Sequence, residues 1–273
     1  MDQIIEYLSG INPILAAFYA TIFTWGLTAL GASFVFFFKS LKRSVLDVSL
    51  GFTGGVMVAA SFWSLLAPAI ELSHGDGFIR VWPAAFGFFL GAAFLYGMDK
   101  VIPHLHINFP ESEAEGVQTK MHKTMLLVLA ITMHNIPEGM AVGVLFGAVA
   151  AGVPDASVAG AVALALGIGI QNFPEGFAVA MPLRRMGMSR LKSFYYGQLS
   201  AVVEPIAAVS AAWAVIYFEP ILPYALAFAA GAMIYIVVEE VIPETQRDKY
   251  TDVAVMGFIG GFLVMMTLDV GLG

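Results

Sequence analysis

The sequence predicts an all-α membrane protein with eight transmembrane helices, and three observations carry that prediction. Of its 273 residues, 59% are hydrophobic and 12% are charged, whereas a soluble domain is about half apolar and a quarter charged. The chain divides into eight apolar stretches long enough to cross a bilayer, joined by short polar segments. Threaded through a membrane, those stretches leave twelve of the thirteen Lys and Arg on one side. The whole chain, 1–273, reads as one transmembrane domain.

The stretches follow in order. The first, about 13–38, ends at Lys39, Lys42 and Arg43. The second, 46–70, carries Met57 and Ser64 and ends beside Glu71. The third, 81–103, starts after Arg80 and closes on GAAFLYGMDKVIPH. The fourth, 123–149, contains HNIPEGMAVGV, and the fifth, 157–182, contains QNFPEGFAVAM. The sixth, 193–218, holds Glu204; the seventh, 221–243, closes on GAMIYIVVEEVIPE; the eighth, 252–272, holds Asp269. Between the third and fourth lies the longest loop, 104–122, acidic and bearing His104, His106 and His122. The opening MDQIIEYLSG lacks the basic flank and cleavage site of a signal peptide, so residue 1 is expected to belong to the mature chain. There is no cysteine, which excludes disulfides and thiolate metal sites.

Basic residues concentrate in cytoplasmic loops. Lys39, Lys42, Arg43, Lys100, Lys120, Lys123, Arg184, Arg185, Arg190, Lys192, Arg247 and Lys249 share one side, against Arg80 alone. This bias expects both termini outside, the long loop in the cytoplasm, and residence in the cell (inner) membrane.

Two nearly identical phrases then stand out, HNIPEG (134–139) and QNFPEG (171–176). His134, Asn135 and Glu138 lie 11 to 15 residues into the fourth span, roughly 17–22 Å at 1.5 Å per residue and near mid-bilayer. Gln171, Asn172 and Glu175 reach a similar depth from the opposite side, as do Glu204 and Met57. Ionisable groups at that depth cost several kcal/mol each and mark function. At 100° per residue, each Glu projects between its two polar neighbours. Two such fans face to face would offer His134, Glu138, Gln171 and Glu175 to one cation. The same glutamates would bridge to a second, ringed by Asn135, Asn172 and Glu204. Each proline removes one helical hydrogen bond, so broken helices lining a cavity are expected here. The glycine after each Glu admits another backbone.

A single Pro-Glu-Gly also fits a plain kink with a hydrogen-bonded acid. Two copies at matched depth, with a histidine and a third glutamate, fit a divided cation site better. An intramembrane metalloenzyme is the first rival, because His134-x-x-x-Glu138 echoes HExxH. Its second His is missing, however, and a proline distorts the turn. A carrier of organic or ammonium-type cations is the second rival, but those sites favour aromatic cages.

HNIPEG, QNFPEG and the eight-span plan resemble the ZIP family of divalent metal transporters, over essentially the whole chain and most like its bacterial, GufA-like branch. The resemblance implies uptake of Zn²⁺, with Fe²⁺, Mn²⁺, Co²⁺ or Cd²⁺ as other cargo, through a binuclear centre between the fourth and fifth helices. It assigns Met57, His134, Glu138, Gln171 and Glu175 to a primary site, and Asn135, Asn172 and Glu204 to a second sharing the glutamates. Gln171 stands where many members have His, and Asn172 where some relatives have an acid. The partners expected are divalent metal ions and the lipid bilayer, with a second copy of the chain as a further candidate, and no nucleic acid. No enzymatic activity is expected.

Charge counting refines this. Glu138, Glu175 and Glu204 supply −3 when ionised, so one dication leaves −1 and two leave +1; a firm first site and a looser second one are expected. The crowding of three carboxylates makes metal–proton exchange an expectation as well. Ser64, Glu71 and Asp269 are candidates for an outer vestibule, weighed against ordinary interfacial acids. Asp99, Glu239 and Glu240, with His104 and His106 of the loop, are candidates for an outlet, weighed against hydrated helix ends and linker residues.

Overall fold

In the computed structural model, which describes residues 1–38, 42–105, 115–117, 119, 121–153, 156–247 and 249–272, eight helices are long and apolar enough to cross a membrane. They are α1 (Pro13–Phe36), α2 (Arg43–Glu71), α3 (Phe78–Val101), α4 (Lys123–Ala150), α5 (Val158–Arg185), α6 (Arg190–Tyr217), α7 (Glu219–Thr245) and α8 (Thr251–Leu272). The sequence also hides a short N-terminal helix, Asp2–Ser9, in what reads as an acidic lead-in. Several starts are set by side-chain caps that satisfy otherwise orphaned amides. Asn12 accepts from Ile14 N at 2.9 Å ahead of Pro13, and Ser157 accepts from Gly160 N at 2.9 Å.

The helices sort into two groups by how they pack. One joins α2 to α8 and α3 to α7; the other joins α4 to α6 and α1 to both α5 and α6. Between the groups, α2 and α8 meet α5, and α7 meets α4, along thinner seams. The motif helices α4 and α5 are the most buried of the eight, and α3 and α8 the least. That ranking places the two polar phrases at the centre, and leaves the Phe-rich face of α3 toward lipid, where Phe78, Trp82 and Phe89 are exposed.

The prolines behave differently from the sequence expectation. Pro137 and Pro174 sit inside regular α-helix, so the two motif helices are bent elements at most and not broken ones. The irregular turns lie elsewhere. Ser61–Leu66 and Val237–Val241 are π-helical and precede Pro68 and Pro243. Ser200–Val202 is a 3₁₀ turn before Pro205. A proline leaves the carbonyl four residues earlier without its donor and crowds it, and the preceding turn loosens or tightens in response. These three turns carry Ser64, Glu240 and the approach to Glu204.

Candidate metal centre

At the crossing of α4 and α5, His134, Asn135, Glu138, Gln171, Asn172 and Glu175 are all buried, as are Met57 on α2 and Glu204 on α6. The close approach needs the two motif glycines. A Cβ on Gly139 would overlap the backbone of Glu204, and one on Gly176 would overlap the carbonyl of Thr28. Small residues at both contacts let α6 and α1 seat against the motifs, as the sequence expects.

The side chains meet across helices in pairs. The Gln171 amide donates to Glu138 Oε1 at 2.5 Å. Asn135 Nδ2 donates to Glu175 Oε1 at 3.3 Å and to the carbonyl of Ile131 at 2.9 Å. Asn172 Nδ2 donates to Glu204 Oε1 at 2.8 Å, while the Thr24 hydroxyl donates to Glu204 Oε2. Glu138 is within electrostatic reach of Glu175 and Glu204. Each carboxylate is therefore turned toward an amide, and among the described residues no three His, Asp or Glu side chains converge as a finished metal shell.

What the pairs leave over is chemically one-sided. Asn135 Oδ1, Glu138 Oε2, Gln171 Oε1, Asn172 Oδ1 and Glu175 Oε2 are buried without a hydrogen-bond donor among the described residues. A buried acceptor without a donor costs about 1–3 kcal/mol, and five clustered on two helices form an oxygen-rich environment suited to a hard or borderline cation. A cavity of about 30 Å³ opens beside them, lined by Met57, His134, Glu138, Glu175, Glu240 and Glu244. It has room for a water or an ion. Gln171 and Asn135 stand behind this lining, hydrogen-bonded to Glu138 and Glu175, with the Asn172–Glu204 pair farther back.

Glu240 is drawn inward. Read from the sequence as an outlet residue, it lies 2.6 Å from His134 Nδ1, because the π-helical turn Val237–Val241 directs it at α4. Its neighbour one turn on, Glu244, had no sequence reading, although the i,i+4 spacing of the two acids was a usable signal. Thr24 was also missed. Thr21, Thr24 and Thr28 form a buried hydroxyl stripe on one face of α1, and that spacing was the clue.

The flanking candidates separate into an outer and an inner set. Ser64 donates to Asp269 Oδ2 at 2.7 Å, and both line a cavity of about 220 Å³ with Glu71. At the other end, Asp99 lies 3.8 Å from His104 Nε2 and is hydrogen-bonded to Tyr235, with Glu239 in electrostatic range. His104 is fully buried and pairs backbone to backbone with Glu115, which corrects its reading as a solvated linker residue. His122 caps α4. His106 lies outside the described residues.

With this geometry in place, the family model described as ZIP Zinc transporter matches residues 109–269. That span contains both motif helices and more than half of the chain. The chain belongs to the ZIP family. ZIP relatives extend the likeness over the remaining helices. The zinc transporter ZIP11 of Homo sapiens is 44% identical, covering 97% of this chain and all of that protein. The zinc transporter GufA of Myxococcus xanthus is 37% identical over 94% of this chain and 99% of its own length. The zinc transporter ZIPB of Bordetella bronchiseptica is 36% identical over 99% and 86%. These ZIP relatives are named as zinc transporters.

Proposed function

We propose that this ZIP protein carries divalent transition-metal ions, Zn²⁺ foremost, into the cytoplasm through the cavity at the crossing of α4 and α5. The observation that carries the reading is the set of five buried, donorless oxygens on the two Pro-Glu-Gly motifs beside a cavity of ionic size. His134, Glu138, Glu175 and Met57, which face the cavity, act as ligands to the primary ion, with Gln171 behind Glu138. Asn135, Asn172 and Glu204 serve a second position that shares the glutamates. Rotating an amide by 180° exchanges its nitrogen for its oxygen, so each Asn or Gln that now donates to a carboxylate can turn an acceptor to an arriving cation.

Ions enter past Ser64, Glu71 and Asp269, and the two carboxylates attract cations into the outer cavity. They leave past Glu240 toward Asp99, Glu239 and His104. The one-sided distribution of basic residues supports a cell-membrane protein with both termini outside and this outlet in the cytoplasm. All of the proposed ligands come from a single chain, so a second copy is not required for binding. The test is uptake of radioactive or fluorescently reported Zn²⁺ by proteoliposomes holding the purified protein, with organic cations as competitors. Zinc uptake that ammonium-type cations leave unchanged supports the reading; competition by those cations, or an absence of metal uptake by a folded protein, overturns it.

A further inference from the structure

Through Glu244, the cavity adjoins a charge cluster that the transport reading leaves unused. Arg43, at the start of α2, is about one-fifth exposed at its side chain, while the two acids it holds are buried. Its Nε lies 2.7 Å from Asp47 Oδ1, and its Nη2 lies 2.7 Å from Glu244 Oε1 and donates to the Glu244 carbonyl at 3.0 Å. Glu244 lines the same cavity as Glu138, Glu175 and His134. On α7 it follows Glu240 by four residues, one turn along the helix. The carboxylates thus form steps, from the central pair to Glu240 beside His134, and from there to Glu244 under the guanidinium.

We infer that Arg43 is a tethered cation occupying the final carboxylate step of the cavity, so that a metal ion reaching Glu244 must exchange with the guanidinium. This rests on the transport reading and adds a release device to it. A dication is held tightly by two buried carboxylates, and a carrier that offered it Asp47 and Glu244 without competition would bind its cargo at the outlet and stall. A planar guanidinium engages both acids at once and cannot lose its charge, so it competes with the ion at every pH. It also seats again when the ion has gone, which closes the cavity to returning metal. Arg43 acts through Asp47 and Glu244 and is a positioning residue, not a ligand.

The experiment measures Zn²⁺ or Cd²⁺ stoichiometry by equilibrium dialysis on the purified full chain, alongside initial uptake rates in proteoliposomes. Arg43→Gln is expected to bind one more equivalent of metal than the natural protein and to transport several-fold more slowly. The double variant Arg43→Gln/Glu244→Gln is expected to lose that additional equivalent, which a merely structural role for Arg43 would not produce. Natural stoichiometry together with a natural uptake rate in Arg43→Gln overturns the inference. Should that variant not fold, since an unpaired buried charge is strongly destabilising, Arg43→Lys decides. A lysine engages one carboxylate and leaves the other to metal, so half-saturation and maximal rate are both expected to fall; unchanged kinetics overturn the inference. If the natural protein binds no metal at all, the transport reading itself fails. If it binds metal and Arg43→Gln adds none, only the role of Arg43 fails.

Discussion

Replacing Asn172 by Asp changes one atom's chemistry at the most crowded point of the centre. The Asn172 amide nitrogen now lies 2.8 Å from Glu204 Oε1 and donates to it. A hydrogen bond to a charged group contributes about 1.5–3 kcal/mol, and in Asn172→Asp that donor becomes an acceptor. Two carboxylates about 4 Å apart repel by about 4 kcal/mol at an effective dielectric constant near 20. A dication between them offsets this repulsion, and about 4 kcal/mol corresponds to about a thousandfold in affinity at the second position. The substitution adds one negative charge to Glu138, Glu175 and Glu204, moving their formal sum from −3 to −4, so a second divalent ion is better balanced. Equilibrium binding should therefore show fuller occupancy of a second ion in Asn172→Asp. Uptake should turn over more slowly, because an ion held more tightly leaves more slowly. Protons compete with metal for the added carboxylate, so uptake by the variant should fall more steeply than that of the natural protein between about pH 7.5 and about pH 5.5. The substitution is nearly isosteric, which leaves packing little part in the result. Unchanged stoichiometry and an unchanged pH profile would show that residue 172 does not share a metal position with Glu204.

Five other substitutions probe the same geometry. Glu138→Ala and Glu175→Ala should each abolish zinc uptake while the protein is still made and inserted, because each removes a ligand proposed for both positions; normal uptake by either variant sinks the shared-ligand arrangement. His134→Ala should weaken half-saturation for Zn²⁺ more than Asn135→Ala does, since imidazole is the better zinc ligand, and equal losses in the two would reverse the assignment of primary and secondary positions. Gly176→Ala forces a methyl group against the carbonyl of Thr28; thermal unfolding in detergent should show a loss of about 1–3 kcal/mol, and wild-type stability would mean that α1 and α5 can part without cost.

The eight spans and the two polar phrases were legible because they are local signals. A run of apolar residues announces a helix whatever its neighbours do, and a carboxylate within such a run is a defect that needs a partner. Counting residues from the helix ends also puts Glu204 and Met57 at the level of the motifs. Glycine after each glutamate was readable for the same reason, since a missing Cβ has one dominant use inside a bilayer. The loop was less legible: His104 looks solvated by composition, and its burial depends on a backbone pairing with Glu115 that leaves no mark in the residue types.

By itself, then, the sequence determined that this chain has eight stretches fit to cross a membrane and that two Asn-x-Pro-Glu-Gly motifs lie near its middle. Only the tertiary structure decided who else attends. Pro137 and Pro174 ride in unbroken helix, whereas Pro243 follows a π-helical turn that swings Glu240 onto His134. Thr24 reaches Glu204 across 180 residues of chain, and Arg43 reaches Glu244 across 201. The physical reason is common to all of these. A threonine in an apolar helix already satisfies itself on its own backbone, and an acid or arginine at a helix end is ordinarily hydrated. Their residue types carry no unmet demand, and only the packing of distant helices gives them one another as partners.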